Sequence, residues 1–212
     1  MKKILYFDMD NVLVDFKSGL DQIPDEVKAQ YADDGKGKPH YDDIPDIFAK
    51  MKPMPGAIDA VKALKEVYDC YILTTSPWDN PTALQNKLNW VKQYFGDTFY
   101  KRIIFSHHKN LCYQEGAYLI DDRTKHGADK FGDHHIHFGT EKFPDWQSVL
   151  NYRIGLLTIC HDSTCRHIRG GCKQQKKTAF SIRASNYLLG FMVFPTSFII
   201  FASESVDYKE DA

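Results

Sequence analysis

The chain has 212 residues, with 27 Lys+Arg against 28 Asp+Glu; it is 43% hydrophobic, 26% charged and carries a formal net charge of -1. It is too apolar for wholesale disorder, too charged for a polytopic membrane protein, and long enough for one full domain plus an appendage. The near-neutral balance excludes binding to a nucleic-acid polymer through a global basic field, and five scattered cysteines do not make a disulfide framework. The expected compartment is therefore a reducing cytoplasm.

Ile4–Phe7 opens the chain as an apolar run that ends on Asp8, too short for a signal peptide. It reads as the first of five strands, followed by Tyr71–Leu73, Arg102–Phe105, Ala117–Ile120 and His135–Phe138. A run of apolar strands without polar alternation suggests a parallel sheet buried on both faces. The stretch from Phe16 to Pro53 interrupts the pattern; it is acidic and aromatic, with Asp33-Asp34-Gly35-Lys36-Gly37 as a loop, and reads as a small inserted cap. Ile58, Val61, Leu64 and Val67 have helical spacing. A second helix is predicted to start at Asn80-Pro81, to bury Leu84, Leu88, Val91 and Phe95, and to close at Gly96. Alternation of strand and helix predicts an α/β fold, a Rossmann-like doubly wound parallel sheet with a small helical cap after the first strand. The expected core spans residues 1–152, with the cap at about 16–53.

Charge marks the far boundary. Residues 1–150 hold 19 basic and 23 acidic residues, whereas 151–212 hold 8 and 5. From Arg153 to Arg183 seven cationic residues face only Asp162, and residues 184–203 carry no charge. This extension, 153–212, admits three readings: a membrane anchor, a partner-binding or poorly ordered tail, or part of the globule. The second is favoured over membrane contact through 184–203, because Asn186, Gly190, Pro195, Thr196 and Ser197 make that stretch a mediocre span.

Four motifs stand at strand ends. Asp8-Met9-Asp10 follows the first strand, and two carboxylates so spaced can converge on one metal ion or one phosphorus. Thr74-Thr75-Ser76-Pro77 ends the second, Lys109 follows the third, and Asp121-Asp122-Arg123 follows Tyr118-Leu119-Ile120. Each alone has a bland reading: a solvated turn, a helix cap, a surface lysine. Adjacent acids ending a buried strand are less ordinary, since burial of charge needs a cation nearby. Ligands of open α/β sheets bind at the carboxyl ends of strands, and all four motifs lie there.

In that order the motifs resemble the signatures of the haloacid-dehalogenase-like superfamily, and the aspartate two residues after the first resembles its phosphohydrolase branch. A closer resemblance is to the 5'(3')-deoxyribonucleotidase family. The opening DMDNVLVDF is similar to that family's DMDGVLADF, with Asn11 in place of glycine. Pro53-Met54-Pro55-Gly56-Ala57, Thr75-Ser76-Pro77, Trp90-Val91, Tyr94-Phe95-Gly96, Leu119-Ile120-Asp121-Asp122-Arg123 and Trp146-Gln147-Ser148-Val149-Leu150 match further segments, over about residues 4–150.

The resemblance implies a Mg²⁺-dependent phosphatase that acts on (deoxy)ribonucleoside monophosphates through an aspartyl-phosphate. It implies Asp8 as nucleophile and Asp10 as general acid and base, with Thr75, Ser76 and Lys109 on the phosphate. Mg²⁺ would be held by Asp8, the backbone carbonyl of Asp10, and Asp121, while Asp122 would order a metal-bound water or Lys109. Phe16, with Tyr41 and Phe48 from the cap, are candidates to enclose the base, though either cap residue could equally be cap core. Arg123 could reach substrate or form an ion pair with Asp129 or Asp133. The alternatives are a phosphatase of the same superfamily for another small metabolite, and a non-catalytic binding or membrane-tethered module.

Two other constellations have the residue types of zinc ligands: His134, His135 and His137, and the run Cys160, His161, Cys165, His167, Cys172. The first lacks a separated third ligand and the second misses the common spacings, so free thiols are the favoured reading. Cys70 and Cys112 are expected in buried packing.

Overall fold

The apolar pentapeptide Lys3–Phe7 forms β1, the centre of the sheet in the computed structural model, which describes residues 2–33 and 35–161. A two-residue strand, β2 (Val14–Asp15), leads into the helices α1 (Phe16–Leu20) and α2 (Asp25–Gln30), and the chain returns through β3 (Lys52–Pro53). Then come α3 (Ala57–Lys65), β4 (Tyr68–Thr74), α4 (Ala83–Phe95), β5 (Ile103–Phe105), β6 (Tyr118–Asp121), β7 (His135–His137) and α5 (Trp146–His161). The five main strands run in the order β5-β4-β1-β6-β7, every pairing parallel, as the unalternated apolar runs predict.

The pleat divides β1 between two faces. Leu5 and Phe7 enter the larger core, with Val61 and Leu64 of α3, Trp90 and Val91 of α4, and Trp146 and Val149 of α5. Tyr6 faces a smaller cluster with Leu73, Leu119, Ala128 and Phe131. The β5–β6 and β6–β7 connections are built from 3-10 turns, Lys109–Cys112 and Ala128–His134, so this face is covered by short turns rather than long helices. The cap segment is pinned at its base by antiparallel pairing of Val14 with Pro53 and Asp15 with Lys52. Its own core is Ile23, Ile44, Ile47 and Phe48.

Helix α4 departs from the expected reading in two ways. It starts at Ala83, because the Asn80 side chain faces the cap instead of the helix amides: Nδ2 donates to the Asp42 and Ile44 carbonyls, while Oδ1 accepts from the Thr82 amide and hydroxyl. Its buried face is Ala83, Lys87, Trp90, Val91 and Phe95, and Leu84 is exposed. The helix ends at Gly96, whose φ of 53° belongs to the left-handed region that glycine enters without penalty. Cys70 is buried as expected, but Cys112 is only half-buried, and both are free thiols. Among the described residues no helix is long and apolar enough to cross a membrane. The segment 184–203 and most of the cysteine–histidine run lie outside the described residues.

After β1 the chain turns sharply. Met9 O accepts from the amides of Val12, Leu13 and Val14, and Trp146 Nε1 donates to Val12 O at 3.0 Å, tying the turn to α5. Asn11 sits at the apex with φ 56°, a conformation costing an ordinary L-residue roughly 1–2 kcal/mol. The asparagine that stands where the resembling family has glycine thus keeps the left-handed turn, and adds a side-chain donor. Replacing Asn11 by Ala should lower stability by ~1 kcal/mol, whereas Asn11→Gly should stay within about 0.5 kcal/mol of the parent. Urea unfolding of the two variants measures this; an alanine variant as stable as the parent would refute the strain.

Candidate active site

Sheet register brings the acidic motifs together. Phe7 pairs with Ile120, so the next residue of each strand, Asp8 and Asp121, emerge side by side, and Asp8 N donates to Ile120 O at 2.9 Å. Both side chains are buried. Lys109, also buried, bridges them, with Nζ 2.8 Å from Asp8 Oδ1 and 2.5 Å from Asp121 Oδ2. Its loop is fixed by Lys109 N donating to His126 O at 2.7 Å. Burial opposes the ammonium charge, but the two carboxylates outweigh it and raise the lysine pKa. Burial and then the charge of Asp8 push Asp121 up to about 6. The same two causes, in the same order, raise Asp122.

Asp8, Asp121 and Asp122 each place a carboxylate oxygen so that all three lie within 4.8 Å of one another. This is an all-oxygen donor set, as hard divalent cations prefer. Asp122 Oδ1 is buried with no hydrogen-bond partner, while Asn11 Nδ2 donates to Oδ2 at 3.1 Å. Asp122 therefore belongs to the convergent acids themselves. It does not contact Lys109, contrary to one of its two expected roles. Arg123 lies 3.6 Å from Asp122 and, through its backbone N–H, donates to Asp121 Oδ1 at 2.9 Å; its ion pair is with Asp122, not with Asp129 or Asp133. His135 and His137 put Nε2 3.3 Å from Asp121 O and 2.9 Å from Asp122 O, so the imidazole pair braces the acidic turn.

Asp10 stands apart from the bridged pair. Its carboxylate meets Lys87, whose Nζ lies 2.8 Å from Oδ2; burial raises the Asp10 pKa and Lys87 pulls it back. Lys87 is a residue that motif reading missed. Its signal was the spacing 83, 87, 90, 91, 95 on α4, which places a lysine on the buried stripe.

A cleft of about 430 Å³ opens beside these groups, lined by Asp10, Thr75, Ser76, Arg123, Phe16 and Tyr41, with Trp78, His107 and His126 also on its walls. The hydroxyl motif thus reaches the cleft, as do two of the three proposed aromatics. Phe48 does not: it is buried at 2% exposure, edge-on to Phe16 and against the Lys87 ammonium, and is cap core. Trp78, 86% exposed and edge-on to His107, is an aromatic wall that sequence reading did not single out.

The arrangement holds one carboxylate against a lysine and further acids, a second carboxylate on its own cation, and hydroxyls on the cleft wall, a set chemically competent for phosphoryl transfer. The profile of the family "5' nucleotidase, deoxy (Pyrimidine), cytosolic type C protein" matches residues 2–149. A Vibrio phage KVP40 protein, assigned by name to the 5'(3')-deoxyribonucleotidases, is 56% identical over 71% of this chain and 84% of its own. The human cytosolic 5'(3')-deoxyribonucleotidase is 28% identical over 76% of this chain and 81% of its own. A haloacid dehalogenase-like hydrolase from Streptococcus pneumoniae superposes with a TM-score of 0.43 at 18% identity, over 76% of this chain and 99% of that one. With its motifs on adjoining strand ends and its core matched nearly end to end, the chain belongs to the 5'(3')-deoxyribonucleotidase family of phosphatases.

Proposed function

We propose that the protein hydrolyses deoxyribonucleoside monophosphates through an aspartyl-phosphate on Asp8, with Mg²⁺ held by Asp8, Asp121 and the Asp10 backbone carbonyl, and with Asp122 beside it. The observation that carries this reading is the division of labour between two carboxylates. Asp8 is clamped by Lys109 next to Asp121, whereas Asp10, two residues on, is paired with a different lysine and lines the cleft.

In the proposed reaction Asp8 Oδ attacks phosphorus in line and the nucleoside oxygen leaves. Asp10 gives that oxygen its proton, then takes one from the water that cleaves the acyl phosphate. Lys109, Thr75 and Ser76 receive the phosphoryl oxygens as charge spreads over them. Mg²⁺, when bound, supplies positive charge against the phosphate and the crowded carboxylates. Phe16, Tyr41 and Trp78 offer aromatic faces for a base, which favours nucleotides over sugar phosphates.

Replacing Asp8 by Asn should reduce phosphate release by at least about 10⁴-fold, since no nucleophile remains, while leaving the circular dichroism spectrum unchanged. Near-normal turnover by this variant would refute the covalent route. A substrate panel of dUMP, dTMP, UMP and sugar phosphates should show deoxyribonucleotides with the highest kcat/KM; a sugar phosphate ahead of them would move the protein to another substrate class within its superfamily.

The raised pKa of Asp121 gives metal affinity a defined pH dependence. Below about 6 the carboxyl is protonated, and the proton must leave before a cation binds. Mg²⁺ affinity should therefore weaken as pH falls through 6, by up to about tenfold per unit for one linked proton. Calorimetric Mg²⁺ titrations at several pH values test the slope, and a flat affinity between pH 5 and 7 would contradict it.

A further inference from the structure

We propose that Lys87 is a positioning residue for Asp10: gripping one carboxylate oxygen, it holds the carboxyl group beside the cleft in one orientation for proton transfer. This rests on the phosphatase reading above. Lys87 is fully buried on α4, and an ammonium has three N–H donors. All three have acceptors within the protein: Asp10 Oδ2 at 2.8 Å, Thr75 O at 2.7 Å and Thr74 Oγ1 at 3.2 Å. The Phe48 ring lies 4.6 Å from the same nitrogen. Lys87 does not line the cleft and has no donor left for a phosphate, so it acts on the reaction only through the groups it holds, and Asp10 is the one charged group among them.

The contacts fix Asp10 asymmetrically. Oδ2 is bound to Lys87, whereas Oδ1 is buried and has no hydrogen-bond partner among the described residues. A carboxyl anchored by one oxygen cannot rotate to exchange its two oxygens without breaking a charge-assisted hydrogen bond. The carboxyl group that lines the cleft is thereby held in one orientation to pass a proton to the leaving group and to take one from water. The cation also faces the carboxylate that remains once the proton has gone, so stabilisation appears where charge develops. The two further acceptors, Thr74 and Thr75, belong to the hydroxyl motif.

The test separates action through Asp10 from general destabilisation by the leaving group's need for a proton. A deoxyribose oxygen must be protonated as it departs; 4-nitrophenolate leaves without help. Phosphoryl transfer is measured under single-turnover conditions with dTMP and with 4-nitrophenyl phosphate, in the parent and in Lys87→Met. The variant should slow transfer from dTMP about 100-fold, the lower end of the range for losing general acid catalysis, with transfer from 4-nitrophenyl phosphate changed less than about fivefold. The steady-state KM for dTMP should change less than about threefold. In an Asp10→Asn background the same substitution should cost little more. Equal losses on both substrates, a rise in KM with kcat retained, or full additivity with Asp10→Asn would each overturn the proposal. Lys87→Gln, which keeps a donor without the charge, is read by the same criteria if the Met variant does not fold; if neither folds, Lys87 is a stability residue and the proposal is wrong. A parent enzyme that releases phosphate from neither substrate with Mg²⁺ refutes the phosphatase reading itself, before any Lys87 variant is compared.

Discussion

Holding several carboxylates at the ends of adjoining parallel strands is the constraint on which this structure turns. Like charges ~4 Å apart repel by roughly 4 kcal/mol at an effective dielectric near 20, and burial makes each charge harder to keep. The upward pKa shifts of Asp10, Asp121 and Asp122 record that stress, with burial the largest cause in each. The fold answers with two buried lysines from different elements. Lys109 lies between Asp8 and Asp121, and Lys87 serves Asp10 alone. Deleting one member of a buried ion pair typically costs about 3–5 kcal/mol, because the survivor is left unpaired. In the proposed reaction, the catalytic groups and those that stabilise the sheet end are therefore the same residues.

Partition matters as much as neutralisation. One lysine shared by all the acids would leave Asp8 and Asp10 electrostatically alike, and phosphoryl transfer needs them different. In the proposed reaction Asp8 stays an anion facing phosphorus, while Asp10 exchanges a proton. Separate cations let two carboxylates two residues apart in the chain take different parts. The tight turn after β1 makes this spacing usable, and Asn11 at its left-handed apex also holds Asp122, so one residue sets both the turn and an acid from a distant strand.

Much of this was legible in the sequence because its logic is one-dimensional. Short strand-like runs marked five strands to within a few residues, and acids directly after two of the apolar ones marked the strand ends where parallel α/β sheets build their sites. What escaped depended on which face of a helix looks inward. Taking Leu84 as the start of the stripe on α4 rotated the helix and put Lys87 at the edge of the stripe, where a lysine reads as a solvated flank. A lysine looks polar in a periodicity count even when a carboxylate and two oxygens of the hydroxyl motif wait for it inside. Phe48 failed in the opposite sense: an aromatic in a cap suggests a base platform, yet this one covers the ammonium.

Helix α4 and the turn before it join these strands of the argument. Asn80 binds the Asp42 and Ile44 carbonyls, Thr82 Oγ1 accepts from Asp46 N, Asn86 donates to Asp46 and Trp90 Nε1 donates to Met51 O, all on the cap segment. Lys87 lies within the same run, under Phe48. The polar contacts that seat the cap beside the cleft and those that orient Asp10 therefore come from one short stretch of chain. A displacement of the cap would pull on Phe48 and the turn at Asn80, and through them on the lysine that fixes the acid. In the proposed reaction, substrate enclosure and proton delivery therefore draw on the same stretch of packed side chains.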